Sequence, residues 1–195
     1  KDYLIAVRTD GQIFLMNRRG ENLKRFPMDS ESIPSGDCHL EVGSTLANTY
    51  FVIVSRDGFR IKFTVEGKIQ SREALPKTSV SSVFSLVNEK FNKDYLILQQ
   101  DGKQLILSDE SGKKVVSGNL SGLKPSDVKF FDFGSGKIFI VLNDKLQGFS
   151  YIYDADGNLL TTPPLETTIV EIRPHNSDQV RIYFVQGKSL IIQPL

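Results

Sequence analysis

Residues 2–26 read DYLIAVRTDGQIFLMNRRGENLKRF, and residues 93–115 read KDYLILQQDGKQLILSDESGKKV. Each is an apolar run, an Asp-Gly pair, a second apolar run and then a glycine among polar residues. Glycine tolerates the positive φ of tight hairpins, so Asp10-Gly11 and Asp101-Gly102 each predict a two-residue turn between paired strands. The same opening recurs at Tyr50-Phe51-Val52 and Ile138-Phe139-Ile140, and Val180 to Val185 (VRIYFV) fits as a fifth copy. Their turns fall at Asp57-Gly58, Asp144-Lys145 and Gln186-Gly187. The first residues of the five turns stand 47, 44, 43 and 42 positions apart, and Gly20, Gly67, Gly112 and Gly157 keep the same beat. Two independent landmarks on one period of about 45 residues mark a repeat architecture.

Each unit supplies short strands only. The run after each opening tyrosine or isoleucine (YLIAV, YFVIV, YLIL, IFIVL) is nearly continuous in apolar residues, as in a strand covered on both faces. Lys113 to Ser117 (KKVVS) is more polar, as suits an outer edge. Closing segments lie around Cys38 to Val42, Val80 to Val87, Val128 to Phe133 and Thr168 to Ile172. No stretch keeps helical periodicity over three turns. A sandwich would leave the fixed period unexplained, and a β-solenoid repeats at about half this length or less. The expected fold is therefore all-β: a β-propeller of about five blades, mostly four-stranded and antiparallel. A single propeller domain is expected over 1–195, with repeats at approximately 1–47, 48–92, 93–135, 136–177 and 178–195. The chain opens on the second strand of a unit and closes on the third, so the first and last sheets are expected to be trimmed. With Lys1 already inside a strand-like segment, the chain reads as a piece of a longer protein or of a larger propeller.

Composition narrows the function classes. The 195 residues are 39% hydrophobic, enough for a core, and 24 Lys and Arg nearly balance 23 Asp and Glu. A nucleic-acid binder usually carries a cationic excess, which is absent here; Arg18, Arg19, Lys24 and Arg25 read as a solvated hairpin tip. Cys38 is the one cysteine, which excludes a disulfide framework and a cysteine-based zinc cage. No run approaches the roughly 18 apolar residues of a membrane span, and no leader-like segment is read.

Propeller connections alternate between two ends, which places Asp10, Asp57, Asp101 and Asp144 on one rim, near the acidic loop MDSESIPSGD from Met28 to Asp37. Such a rim is a candidate for a cation or a basic partner, although each aspartate is also a good turn former. Asp154-Ala155-Asp156-Gly157-Asn158 is similar to part of a calcium loop but lacks its later carboxylate, and Asn92-Lys93-Asp94 puts a lysine where an oxygen ligand is wanted. His39 and His175 have no partner at a recognised spacing. Cys38 and His39 point to opposite faces of an extended strand. Gly134-Ser135-Gly136-Lys137 leads into a strand and reads as a turn rather than a phosphate loop. No G-x-S-x-G elbow occurs. The sequence assigns no catalytic, cofactor-binding or metal-ligating residue.

The units quoted at the outset resemble the PQQ-like and WD40-like propeller repeats in the C-terminal regions of large, otherwise uncharacterised, membrane-anchored bacterial envelope proteins. Quinone-dependent propeller enzymes dock their blades with tryptophans; this chain has none, and it lacks the Gly-His and Trp-Asp signatures of WD40 repeats. The resemblance implies the fold and an extracytoplasmic, envelope location. The expected function is a non-catalytic module for protein interaction or assembly. Its partner is expected to be a protein, with no nucleic acid, no cofactor and no direct membrane insertion. The alternative is a carbohydrate-binding or glycoside-hydrolysing propeller, which needs two carboxyls about 5–10 Å apart at the axial end.

Overall fold

In the computed structural model, which describes residues 3–88, 94–119, 127–176 and 179–195, the apolar runs become strands of five sheets, each built from consecutive strands. The first holds β1 (Tyr3–Val7), β2 (Gln12–Asn17) and β3 (Met28–Asp29). The second holds β4 (Pro34–Glu41), β5 (Tyr50–Ser55), β6 (Phe59–Thr64) and β7 (Ile69–Ala74). The third holds β8 (Val83–Val87), β9 (Leu96–Asp101), β10 (Gln104–Ser108) and β11 (Lys114–Asn119). β12 (Asp127–Asp132), β13 (Ile138–Asp144) and β14 (Phe149–Tyr153) make the fourth; β15 (Val170–Pro174), β16 (Val180–Gln186) and β17 (Ser189–Pro194) make the fifth. Neighbouring strands run antiparallel, for example Tyr3↔Asn17 and Arg181↔Pro194. Asn92-Lys93 and the expected repeat borders at 92/93 and 177/178 lie outside the described residues.

Among the described residues two of the five sheets have four strands; the first and fifth have three, trimmed as expected, and only the fourth, also with three, falls short of the four expected. In the fourth sheet the outer position is reduced to single bridges, Tyr153↔Leu159 and Ser150↔Leu165. Pro163-Pro164 precedes Leu165, and proline has no N–H to give a ladder.

The chain divides into two compact units, residues 1–86 with 97–101, and residues 87–96 with 102–195. In the first, Ile13 and Leu15 from β2, Phe51 and Ile53 from β5, and Ile61 and Phe63 from β6 share one buried cluster with Phe26. Phe51 and Phe63 stack with centroids 5.4 Å apart. Alternation explains why β6 reads FRIKFT: Ile61 and Phe63 face the core, while Arg60 and Lys62 on the other face pair across strands with Glu73 and Glu41. The second unit has its own cluster, in which Phe131, Val141 and Ile152 meet Val170, Ile172, Val180, Ile182 and Phe184. Fully burying one such side chain contributes about 1.5–3 kcal/mol.

Near-continuous apolar runs are buried along β5, β9 and β13, each inside its sheet. β1, with the same composition, is the edge of the first sheet and leaves Leu4 61% exposed.

Three of the five turns differ from the two-residue hairpins expected, while β9 and β10 are joined by the two residues Gly102-Lys103. Arg8 N donates to Gln12 O and Gly11 N to Arg8 O, so the first hairpin has the three-residue loop Thr9-Asp10-Gly11. Only Gly11 has positive φ (95°), whereas a primed two-residue turn would need it at Asp10 as well. Arg56-Asp57-Gly58 is built alike. The β13–β14 turn has four residues, 145–148, closed by Gly148 N donating to Asp144 O at 2.8 Å. The β16–β17 turn does have two residues, Gly187-Lys188.

Candidate functional site

The Asp-Gly turns sit beside the loops leading into the next sheet. Ser30 N donates to Gly11 O, and Leu75 N donates to Gly58 O. The loop 75–82 shows why: it is latched onto β9. Ser79 Oγ and Ser81 Oγ donate to Asp101 Oδ1 at 2.8 and 3.0 Å, and Thr78 Oγ1 donates to Oδ2 at 3.0 Å. Gln99, two residues earlier on the same face, accepts from Thr78 N at 2.9 Å and donates to Pro76 O at 3.2 Å. Hydrogen bonds from Ser79 first, then Thr78 and Ser81, hold the Asp101 carboxyl below the usual aspartate range.

The other three rim candidates serve their own turns or face solvent. Asp10 accepts from Gln12 N and pairs with Arg8 at 2.7 Å. Asp144, buried, accepts from Leu146 N and Gln147 N. Asp57 is exposed in its loop. No three of these carboxylates are gathered as a metal-holding group, and no group of three His, Cys, Asp or Glu side chains that could hold a metal occurs among the described residues.

His39 is buried in β4 opposite Val52, whereas His175 is exposed in the β15–β16 turn with its N donating to Gln179 O. Gly134 to Lys137 form the β12–β13 turn, closed by Lys137 N donating to Gly134 O. Asp154 makes a turn of its own. Its Oδ1 accepts from Asp156 N and Asn158 N, and its Oδ2 accepts from Asn158 Nδ2.

That turn belongs to a set. At the opposite end of the strands from the Asp-Gly loops, Asn17, Thr64, Asp109 and Asp154 each place a side-chain oxygen on the amides two and four residues ahead. A glycine three residues ahead, always at positive φ, closes each loop. Asn17, Thr64 and Asp109 escaped the sequence reading, and Asp154 entered it only within the loop similar to a calcium loop. Their spacing of 47, 45 and 45 positions was the available signal, hidden because Asn, Thr and Asp do the same work.

Within the second unit, two of these turns border a cavity of about 330 Å³. Its apolar lining includes the buried side chains of Leu96, Phe130 and Ile140. Its polar lining includes Asp94, Asp109, Glu110 and Lys113. Burial pushes the Asp109 carboxyl up, but the Ser111 hydroxyl, the Lys113 and Ser111 amides and the Lys113 charge outweigh it and hold it below the usual range. Among the described residues the lining thus includes carboxylates and an ammonium beside apolar side chains. The volume suits a small ligand or one anchoring side chain.

No family model matches the chain, and no curated protein matches its sequence. Solved structures resemble it. BBS1N, in a crystal structure with ARL6DN, aligns over 97% of this chain and 55% of its own at 15% identity, with a TM-score of 0.55. A protein of unknown function from Bacteroides caccae aligns over 100% of this chain and 73% of its own at 9% identity, with a TM-score of 0.54. The β-propeller domain of Cps50 (Swd1) from Myceliophteria thermophila aligns over 97% of this chain and 79% of its own, at 11% identity and a TM-score of 0.44. The chain spans about half the length of the BBS1N chain. At such identities the likeness is one of fold, and the fold is an all-β propeller of about five sheets.

Proposed function

We propose that the chain is a non-catalytic propeller module that binds protein, serving interaction or assembly within a larger envelope protein. One repeated observation carries this reading. Ile33 and Ile169 directly precede the first strand of a sheet, Val80 lies three residues before one, and all three are exposed aliphatic residues. Val80 is fully exposed at 103%, yet its loop is held by the Asp101 and Gln99 latch. Single exposed apolar residues are ordinary, but an aliphatic residue exposed in the loop entering each of three sheets is not scatter. An apolar anchor on a pre-ordered loop loses little entropy on binding, which favours a protein partner.

Glycoside hydrolysis is supported less well. A general acid needs a raised carboxyl pKa, whereas those of Glu73, Asp101, Asp109 and Asp154 are lowered. The near-zero net charge weighs against nucleic acid. No helix among the described residues is long and apolar enough to cross a membrane. The envelope location rests on the repeat resemblance and is checked by cell fractionation.

Crosslinking and capture of the full-length protein from its own cells, comparing wild type, V80D and a deletion of residues 1–195, tests the function. The reading expects a protein partner with wild type, its recovery reduced about tenfold or more by V80D, corresponding to about 1.4 kcal/mol. Assembly unchanged by the deletion would overturn it.

A further inference from the structure

We propose that the face of the fifth sheet carrying Tyr183, Val185, Leu190 and Ile192 is covered, in the full-length protein, by a further sheet of the same repeat. This goes beyond the protein-binding reading and does not rest on it. Successive sheets are equivalent row by row. In the fourth sheet Lys129, Val141 and Ile152 lie side by side across β12, β13 and β14. In the fifth, Glu171, Tyr183 and Ile192 lie side by side across β15, β16 and β17. Glu171 and Tyr183 stand 42 positions after Lys129 and Val141, the spacing that separates the turns at Asp144 and Gln186. One row nearer those turns, Asn143 beside Ser150 corresponds to Val185 beside Leu190.

Equivalent rows differ in exposure. Val141, Asn143, Ser150 and Ile152 are all 0% exposed. Val141 and Ile152 are covered because they pack against Val170, Ile172, Val180, Ile182 and Phe184 of the following sheet. Leu190 and Ile192 are 62% and 50% exposed, with Tyr183 and Val185 beside them half-buried. The chemistry runs against that exposure, since Asn143 and Ser150 on the covered face become Val185 and Leu190 on the open one. Four apolar side chains in two adjoining rows form a patch rather than scatter. One repeat cannot bury its apolar faces alone, and stacked neighbours do it. The occupant therefore matches what already covers the fourth sheet, a sheet presenting aliphatic side chains. No charge is asked of it: β17 (SLIIQP) has none, and Glu171 is met by Lys129 and Arg173. A second copy packed face to face fits worse, because Arg173 and Arg181, neighbours in the next row, would be gathered twice in one interface.

The test uses the full-length protein under native conditions. L190C and, as a reference, L146C are each made in a C38S background and reacted with a maleimide. Leu146, in the β13–β14 turn, is 73% exposed, close to the 62% of Leu190, so exposure within residues 1–195 alone gives similar rates. The further sheet is expected to slow labelling of L190C at least about tenfold relative to L146C, a difference that denaturant abolishes. Equal rates in the native protein would overturn the inference. A photo-crosslinking amino acid at Leu190 then identifies the cover. It is expected to join a strand of the same polypeptide outside residues 1–195. A crosslink to a second copy, to another protein, or only within residues 1–195 would overturn the inference. This arm leaves Cys38 in place, so it decides the question where a cysteine variant fails to fold. The expected crosslink in a protein that captures no partner would sustain the further sheet and overturn only the protein-binding reading.

Discussion

Gly157 and Gly20 hold the same place in two repeats and have nearly the same backbone, with φ of 82° and 77°, yet they do different work. Nothing lies within 4 Å of a Cβ built on Gly20, whereas one on Gly157 would strike Val115 O. G20A is expected to cost about 1–2 kcal/mol, the left-handed backbone penalty alone. G157A carries that penalty plus displacement of a neighbouring sheet's backbone, and is expected to cost at least about 1 kcal/mol more. Denaturant melts of the two variants check the difference; equal losses would refute the close approach. Asp101 offers a second test at this scale. Its folded pKa lies below the ordinary 3.8, so its latch on the 75–82 loop is fully present above that value and is lost as pH falls through the lower folded value. As pH falls below 3.8 and through the lower folded value, the amides of Ser79 and Ser81 should lose protection in the native protein, and in D101A they should already lack it at neutral pH. Protection that persists at pH 2 would show that the carboxylate does not hold the loop.

At the scale of elements, the apolar runs were legible because burial on both faces leaves no polar alternation to confuse the period. YFVIV and IFIVL lie inside sheets, as read. The phase of the repeat, which opens the chain on the second strand of a unit, left YLIAV at the edge of a trimmed sheet, and β1 is that edge; its composition alone says nothing of its neighbours. Hydrogen exchange should therefore separate strands of similar sequence. Amides of β1 that do not bond to β2 should exchange at least about a hundredfold faster than those of β5. The turn types were misread for a related reason. Asp-Gly serves a primed two-residue turn and also a type I turn closed by a left-handed glycine, and only the register tells them apart. Arg8 opposite Gln12 is a fact of pairing and not of the dipeptide.

Over the whole molecule, the repeat was readable and the cavity was not. Its lining runs from Asp94 to Ala155. The 45-residue spacing of its two turns says that they are alike but not that they meet, because the cavity is made where successive repeats face each other. The two cores likewise mix residues from adjacent sheets. F63A in the first unit is expected to cost about 3–5 kcal/mol and I182A in the second about 2–5 kcal/mol, both side chains being fully buried. Thermal melts of both variants check this, and a loss below about 1 kcal/mol in either would show that its core is not packed as described.

The most direct test of a propeller module that docks a protein is a photo-crosslinking amino acid placed at Val80 of the full-length protein in its own cells, because Val80 is fully exposed on a loop latched by Asp101. A crosslink to a second protein, weakened when D101A releases the loop, is the result expected. No second protein captured at this position would contradict the account.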